Sequence, residues 1–285
     1  MAKKKEETVV NTWEADSPEQ TATVPNASEW GTPITPGLEV EPIQADDWQA
    51  AVPQTLSEVI IDSHGGTFEP AVAKILVYGE SGTRKTRFAS TFPNIIFADI
   101  DKGMSSVTEV VDRVSIDDFK QLEALYAFLA AAEHPYETVV IDTLNEMQRI
   151  AMHATVEDFP MIRRSYDDLP SMSDYGKMLH DMLELTRSFI SLPMRVILVA
   201  QVNSRVFETD TLQPQLVGKN SAREVARKMD VIGYIYKSEK EDPATSKKLS
   251  EMSFDATEYV TKDRSFKLPS ILTDPNYNRM TAFWK

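Results

Sequence analysis

The stretch of the chain best suited to chemistry is the octapeptide Gly-Glu-Ser-Gly-Thr-Arg-Lys-Thr at residues 79–86. It follows the apolar run 74–78 and precedes a helix-compatible stretch at 87–91. In a strand, loop and helix arranged in this order, backbone N–H groups and the helix N-terminus surround nucleotide phosphates. Lys85 then reaches the β- and γ-phosphates, and the Thr86 hydroxyl can hold Mg²⁺.

The pattern therefore predicts a nucleotide-binding loop with ATP and Mg²⁺ as its ligands. Its members are Gly79, Glu80, Ser81, Gly82, Thr83, Arg84, Lys85, Thr86 and Arg87. The alternative is a glycine-rich strand-to-helix turn with no ligand. Arg84 departs from the usual motif, which has Gly before the Lys. If the backbone at Arg84 is left-handed, the side chain costs on the order of 1–2 kcal/mol.

Polar residues end three later apolar runs. Asp142 ends the run 138–142, which places an acid beside the Mg²⁺ of the loop. Asp99 and Asp101 follow a second run, and either could orient an attacking water. Gln201 ends a third run, where its amide could sense a γ-phosphate. For Asp142 the alternative is a solvent-exposed acid that merely ends a strand.

Apolar runs alternate with amphipathic segments from residue 71 onward, which predicts an α/β domain with a mostly parallel central sheet. The predicted strands are 74–78, 95–99, 138–142, 196–201 and 231–236. The predicted helices are 117–132 and 175–190, with Ser115 and Ser173 as N-caps. A C-terminal β-hairpin is predicted from strands at 254–261 and 266–272, and an exposed loop at 237–251.

Composition indicates a soluble cytoplasmic protein. The 285 residues are 42% apolar, which suffices for a core, and contain no Cys, which excludes disulfides. No apolar run approaches the roughly 20 residues that cross a bilayer, so we expect no membrane partner and no signal peptide. The net charge of −14 argues against a protein that coats nucleic acid non-specifically.

Residues 1–56 are predicted to be a disordered acidic tail, separate from an ATPase domain at 57–285. The tail holds three Lys and ten Asp or Glu, so it contributes −7 of the charge. Trp13, Trp30 and Trp48 each lie near acidic residues. They are either docking motifs for a partner protein, such as a single-strand-binding protein, or incidental aromatics in an acidic tail.

The chain resembles the RecA-type core ATPases, and most closely the RecA-like single-strand annealing proteins that phages encode. The resemblance spans residues 71–275 and rests on the loop, the strand ends 97–101 and 139–142, the strand 198–201 and the segment 261–264. It implies a catalytic role for Asp101, which is one methylene shorter than the family's Glu. It also implies that Gln201 reports nucleotide state, and that Lys262 and Arg264 reach the γ-phosphate of a neighbouring subunit.

In that family two loops bind DNA. The matching positions here include Arg163, Arg164 and Tyr166 in the first loop. The second loop would contribute Arg205, Phe207, Lys219 and Arg223. Both stretches mix basic and aromatic residues, as phosphate contact and base stacking require.

The resulting hypothesis is an oligomeric ATPase, a ring or a filament, that acts on single-stranded DNA in phage recombination or replication. Lys85, Thr86 and Asp142 would hold Mg²⁺ and ATP. The first alternative is a binding protein gated by nucleotide, with little turnover, that recruits a partner through its tail. The second is a motor that acts on duplex DNA or protein. The four His residues are scattered and show no metal-ligand spacing.

Overall fold

A mostly parallel β-sheet forms the centre of the chain. The computed structural model describes residues 67–131, 133–158, 170–203, 211–218 and 220–285. Within them the strands are β1 (Lys74–Gly79), β2 (Ile95–Asp99), β3 (Asp112–Ser115), β4 (Thr138–Asp142), β5 (Arg195–Asn203), β6 (Gln213–Pro214), β7 (Val231–Glu241), β8 (Lys248–Ser253), β9 (Lys262–Asp263) and β10 (Ile271–Thr273). The helices are α1 (Lys85–Ser90), α2 (Phe119–Ala131), α3 (Leu144–Asp158), α4 (Met172–Ser191), α5 (Ser221–Lys228) and α6 (Tyr277–Thr281).

The order of the strands confirms the predicted α/β fold class. Across the sheet they run β10-β8-β7-β1-β5-β4-β2-β3, with β6 beside β5 and β9 beside β7. All neighbours from β7 to β3 are parallel, whereas β6, β8, β9 and β10 pair in antiparallel fashion. The phosphate-loop strand β1 and the acid-bearing strand β4 therefore flank β5, which brings all three carboxyl ends to one edge.

Helices cover both faces of the sheet. Successive residues of a strand point to opposite sides, so each buried strand contributes side chains to two cores. Leu76 and Tyr78 of β1 face the larger core, which includes buried side chains from α2, α3, α4 and α5. Ile75 and Val77 face the smaller core, to which α1 and α6 contribute. Burial on both faces explains why these strands read as continuous apolar runs rather than as alternating patterns.

An antiparallel hairpin extends the sheet beyond β7, but it is not the hairpin that the sequence predicted. The predicted loop 237–251 is largely strand, because β7 runs to Glu241 and pairs with β8. Opposite charges pair across the two strands, with Lys240 Nζ 2.8 Å from Glu251 Oε1 and Lys248 Nζ 2.9 Å from Glu239 Oε2. Such cross-strand pairs stabilise strands whose charged composition resembles that of a loop.

The predicted strand pair at 254–261 and 266–272 is wrong. Only β9 and β10 form there, and they pair with β7 and β8 rather than with each other. Tyr259, which the prediction placed in a strand, forms an isolated parallel bridge with Leu212 and stacks on Tyr234 with 4.1 Å between the ring centroids. Alternating apolar residues in this segment therefore reflect packing onto the existing sheet.

Both predicted helix caps are also corrected. Ser115 is the last residue of β3, and the side chain of Asp118 accepts the N–H of Gln121 at the start of α2. Ser171, two residues before the predicted Ser173, caps α4 in a reciprocal box with Asp174. The predicted boundaries are close because the apolar periodicity is strong, while several nearby Ser and Asp residues can serve as caps.

The predicted acidic tail, its Trp motifs and its boundary at residue 57 lie outside the described residues. Among the described residues, no helix is both long enough and apolar enough to cross a lipid bilayer.

Gly79 allows β1 and β7 to approach closely just before the phosphate loop. A Cβ at this position would lie 2.1 Å from the backbone oxygen of Ile235. We expect Gly79→Ala to lower the free energy of unfolding by about 3 kcal/mol, because the clash is with backbone rather than with a flexible side chain. Urea unfolding followed by circular dichroism measures the change.

Gly176→Ala is the matched control. Gly176 lies inside α4, and nothing is within 4 Å of the position of its added Cβ. Alanine should therefore stabilise the helix by about 0.5–1 kcal/mol. Equal stabilities of the two variants would contradict the close approach at Gly79.

Candidate nucleotide-binding site

The predicted phosphate loop connects β1 to α1 in the expected order. Gly82 and Arg84 both adopt left-handed backbone conformations, with φ of 76° and 74°. The Thr83 hydroxyl donates to the backbone oxygen of Glu80 at 2.8 Å, which closes the loop on itself. The strain predicted for a non-glycine residue at position 84 is thus present.

Lys85 lies buried inside this loop. Its Nζ donates to the backbone oxygens of Gly79 at 2.9 Å and Glu80 at 2.8 Å, and to Gln201 Oε1 at 3.2 Å. Burial lowers the pKa of Lys85, although Asp142, Glu80 and Asp101 oppose that shift. A nucleotide phosphate offers a stronger acceptor than a carbonyl, so the ammonium group is positioned to exchange loop carbonyls for phosphate oxygens.

Thr86 and Asp142 lie side by side, as a Mg²⁺ site requires. The Thr86 hydroxyl donates to Asp142 Oδ2 at 2.7 Å. Mg²⁺ in nucleotide sites uses one or two protein oxygens and fills its other positions with water and phosphate. This pair fits that need, and bound Mg²⁺ would neutralise charge on the phosphates. Among the described residues, no cluster of three or more Asp, Glu or His side chains offers another metal site.

Burial raises the pKa of Asp142 to about 6, and the neighbouring charge of Asp101 adds to the rise. The hydrogen bond from Thr86 acts in the opposite direction. Asp142 is only 3% exposed, so its charged form is poorly solvated until a cation is bound. The surroundings of Asp142 therefore favour a carboxylate that is bound to a metal ion over one that is charged and unpaired.

Of the two acids after β2, the structure places Asp101 in the cavity. Asp99 is buried and forms an ion pair with Arg113 at 2.9 Å. Asp101 lines the cavity beside the loop, and its backbone N–H donates to the backbone oxygen of Asp142 at 3.1 Å. Burial, together with the charges of Glu146 and Asp99, raises the pKa of Asp101. Asp101 is thus the better placed of the two to contact a water near the phosphates.

Gln201 contacts Lys85 of the loop, and a residue that sequence reasoning missed holds it in place. Asn145, in the first turn of α3, accepts the backbone N–H of Gln201 at 2.8 Å. The same side chain donates to the backbone oxygen of Gln215 at 2.7 Å. Asn145 follows Asp142 by three residues, and this spacing alone does not predict its contacts. They arise only when the fold brings Gln201 and Gln215 next to it.

A cavity of about 770 Å³ joins these groups to the β7–β8 hairpin. The phosphate loop, Asp142, Thr143 and Gln201 form one side. The opposite side comes from the hairpin tip and from residues near α6, which are Asp242, Pro243, Thr245, Lys247, Leu249, Asp274 and Arg279. Two bonds tie the loop to β8: Ser250 Oγ to the oxygen of Thr83 at 3.0 Å, and an Arg84 guanidinium N–H to the oxygen of Lys248 at 3.2 Å.

Lys262 and Arg264 lie apart from this cavity. Lys262 Nζ donates to the backbone oxygen of Arg227 at 3.2 Å, and Arg264 forms an ion pair with Asp230 at 2.8 Å. Both side chains thus bind near the end of α5 in their own chain. Their predicted role at a neighbouring subunit's phosphate remains a prediction.

Most of the predicted DNA-binding residues lie outside the described part of the chain. These are Arg163, Arg164, Tyr166, Arg205, Phe207 and Lys219. Arg223 is described, and it lies exposed on α5. The assignment of all seven residues to DNA remains a prediction.

The left-handed backbone at Arg84 predicts an order of stabilities. Arg84→Gly and Arg84→Ala both lose the bond to Lys248, but only glycine adopts a φ of 74° without strain. We therefore expect the glycine variant to be more stable than the alanine variant by about 1 kcal/mol in urea unfolding of the nucleotide-free protein. Equal stabilities would show that position 84 is not left-handed.

The pKa of Asp142 predicts a pH-dependent stability. Because the folded pKa of about 6 exceeds the ordinary 3.8, the folded state holds the proton more tightly and is favoured by it at low pH. This contribution of the bound proton to the free energy of unfolding is lost as pH rises through 6. Relative to Asp142→Asn, the wild type without metal or nucleotide should lose about 2–3 kcal/mol between pH 4 and pH 7.

Chemical denaturation at several pH values measures the difference, with the exposed Asp255→Asn as control. A difference between wild type and Asp142→Asn that stays constant across this range would contradict a raised pKa.

Comparison with known proteins places the chain in a family. It is similar to the crystal structure of a KaiC-like protein from the hyperthermophilic archaeon Pyrococcus horikoshii OT3, with 13% identity and a TM-score of 0.35 over 64% of this chain and 77% of that one. No curated protein matches the sequence. The profile of the AAA domain family matches residues 71–265, more than half of the 285 residues. The chain therefore belongs to the AAA domain family and has a nucleotide-binding, phosphate-loop ATPase domain.

Proposed function

We propose that the protein hydrolyses ATP and uses the cycle to act on single-stranded DNA, in annealing or strand pairing during phage recombination or replication. One observation carries the proposal. Gln201 Oε1 accepts from Lys85 Nζ at 3.2 Å, and the strand of Gln201 continues into the β5–β6 pair. A change at the phosphates is thereby linked to the end of β5, after which the second predicted DNA-binding loop follows in the sequence.

The residues of the cavity divide the catalytic work. Lys85 holds the phosphates, and Thr86 and Asp142 hold Mg²⁺. Asp101 orients the attacking water and accepts its proton, a role favoured by the raised pKa of its carboxyl group. Gln201 senses the γ-phosphate. Lys262 and Arg264 of an adjacent copy supply positive charge in a ring or filament, and the acidic tail recruits a protein such as a single-strand-binding protein.

A second candidate is a nucleotide-gated binding protein with little turnover. The strained backbone of Arg84 supports it, because that strain weakens the phosphate loop. The shorter side chain at Asp101 supports it too, because it holds water less closely than a Glu would. In this case ATP acts as a switch for partner binding.

Lys85→Ala tests the site and separates the candidates. We expect ATP hydrolysis by wild type to rise when single-stranded DNA is added, and to fall about a hundredfold or more in Lys85→Ala because a phosphate-binding cation is lost. The exposed Lys120→Ala on α2 is the matched control and should retain wild-type turnover. Steady-state phosphate release measures both.

Each remaining outcome has a distinct meaning. Normal turnover in Lys85→Ala would show that the site is assigned wrongly. Binding of ATP by wild type without turnover, with or without DNA, would favour the nucleotide-gated binding protein.

A further inference from the structure

A second cavity, of about 530 Å³, lies between α3 and α4 at the same edge of the sheet. We call it the α3–α4 cavity. Its polar lining consists of Asn145, Gln148, Arg149, His153, Tyr175, Asn203 and Gln215. None of these residues lines the phosphate-loop cavity. The α3–α4 cavity is therefore separate from the phosphate-loop cavity.

One wall of this cavity is fixed by two side-chain amides from the first turns of α3. Asn145 donates to the backbone oxygen of Gln215 at 2.7 Å. Gln148 accepts the N–H of Val217 at 2.8 Å and donates to its oxygen at 3.1 Å. Gln215 and Val217 of this backbone segment are thus held by two side chains of α3 that are three residues apart. A wall held in this way is already ordered before a ligand arrives, which lowers the entropic cost of binding.

The rest of the described lining includes two aromatic rings and a cation. Tyr175 is 40% exposed in the first turn of α4, and His153 is exposed on α3. Within the described residues, neither ring has a hydrogen-bonding or ring-stacking partner. The Arg149 guanidinium pairs with Glu146 through Nε at 2.5 Å and is 55% exposed. Aromatic rings beside an Arg form the usual platform on which an unstacked base lies.

Among the described lining residues the charged group is Arg149, which also pairs with Glu146 outside the lining. The chain carries a net charge of −14, yet no Asp or Glu of the described residues lines the α3–α4 cavity. Its ionisable lining groups are Arg149 and the two rings of His153 and Tyr175. No phosphate loop is present, so the chemistry fits a single base with its adjoining phosphate rather than a nucleoside triphosphate.

We propose that the α3–α4 cavity binds one unstacked base of single-stranded DNA, with Tyr175 and His153 against the ring and Arg149 at the adjoining phosphate. This proposal rests on the proposed action on single-stranded DNA and names a site for it. Asn145 contacts both the cavity wall at Gln215 and the backbone of Gln201, which connects the base site to Lys85.

Binding of two fluorescent oligonucleotides tests the proposal. One is oligothymidylate, and the other is a strand of equal length in which every nucleotide is abasic. Both are titrated by fluorescence anisotropy with the full-length protein and a slowly hydrolysed ATP analogue. Tyr175→Ala should weaken binding of oligothymidylate about tenfold, because one base–aromatic contact is lost, and leave the abasic strand unaffected.

Two control variants accompany the test. Phe128→Ala removes an aromatic ring that is equally exposed, at 44%, on α2, and it should bind both strands as wild type does. Tyr175→Phe keeps the ring and should retain affinity for oligothymidylate. Because Tyr175 is exposed, its variants should unfold at the same temperature as wild type.

The contrary outcomes are distinct. Unchanged affinity of Tyr175→Ala for oligothymidylate would overturn the base site while leaving the action on DNA intact. Equal weakening on both strands would overturn it too, since the ring would then not contact a base. A wild type that binds neither strand would overturn both this proposal and the proposed function.

Discussion

Parallel pairing between buried strands brings the phosphate loop, Asp142 and Gln201 to one side of the phosphate-loop cavity. The register places Gly79 opposite Gln201, and Asp142 opposite both Val199 and Asp99. The pairing is fixed by main-chain hydrogen bonds and by apolar side chains that fill both faces of the sheet. Because strand ends coincide at one edge, Lys85, Asp142 and Gln201 meet although the sequence separates them widely.

Within that edge, burial decides how each charged group behaves. Asp142 and Lys85 are both largely removed from water, and each has its pKa shifted toward the neutral form. Without nucleotide, Lys85 is satisfied by loop carbonyls and Asp142 by the Thr86 hydroxyl. Nucleotide and a cation would replace these modest interactions with charge-assisted ones, so the pocket is built to be completed by its ligand.

The sequence predicted the part of the site that is local. Residues 79–87 are contiguous, and their order of strand, loop and helix carries the whole signal. Asp142 and Gln201 were found because each ends an apolar run, and parallel strands bring such ends together. For Arg84 the motif gave only the cost of a left-handed backbone, and the structure supplies the conformation, with φ of 74°.

What sequence could not predict depends on contacts between distant segments. The hairpin tip at Asp242 lies in the phosphate-loop cavity because β7 and β8 pair, and their many charges resemble those of a loop. Asn145 gains its role only when Gln201 and Gln215 come to either side of it. The caps of α2 and α4 were misplaced because neighbouring Ser and Asp residues have almost equal propensities.

The two hydrogen bonds of Asn145 connect the walls of the two cavities. Gln201 and Gln215 also share a direct backbone hydrogen bond of 2.8 Å, so the connection is doubled. If a ligand at the phosphates strengthens binding at the far side by some factor, thermodynamic linkage requires the reverse effect to have the same factor. Nucleic acid would then act as an allosteric effector of nucleotide affinity as fully as nucleotide acts on nucleic acid.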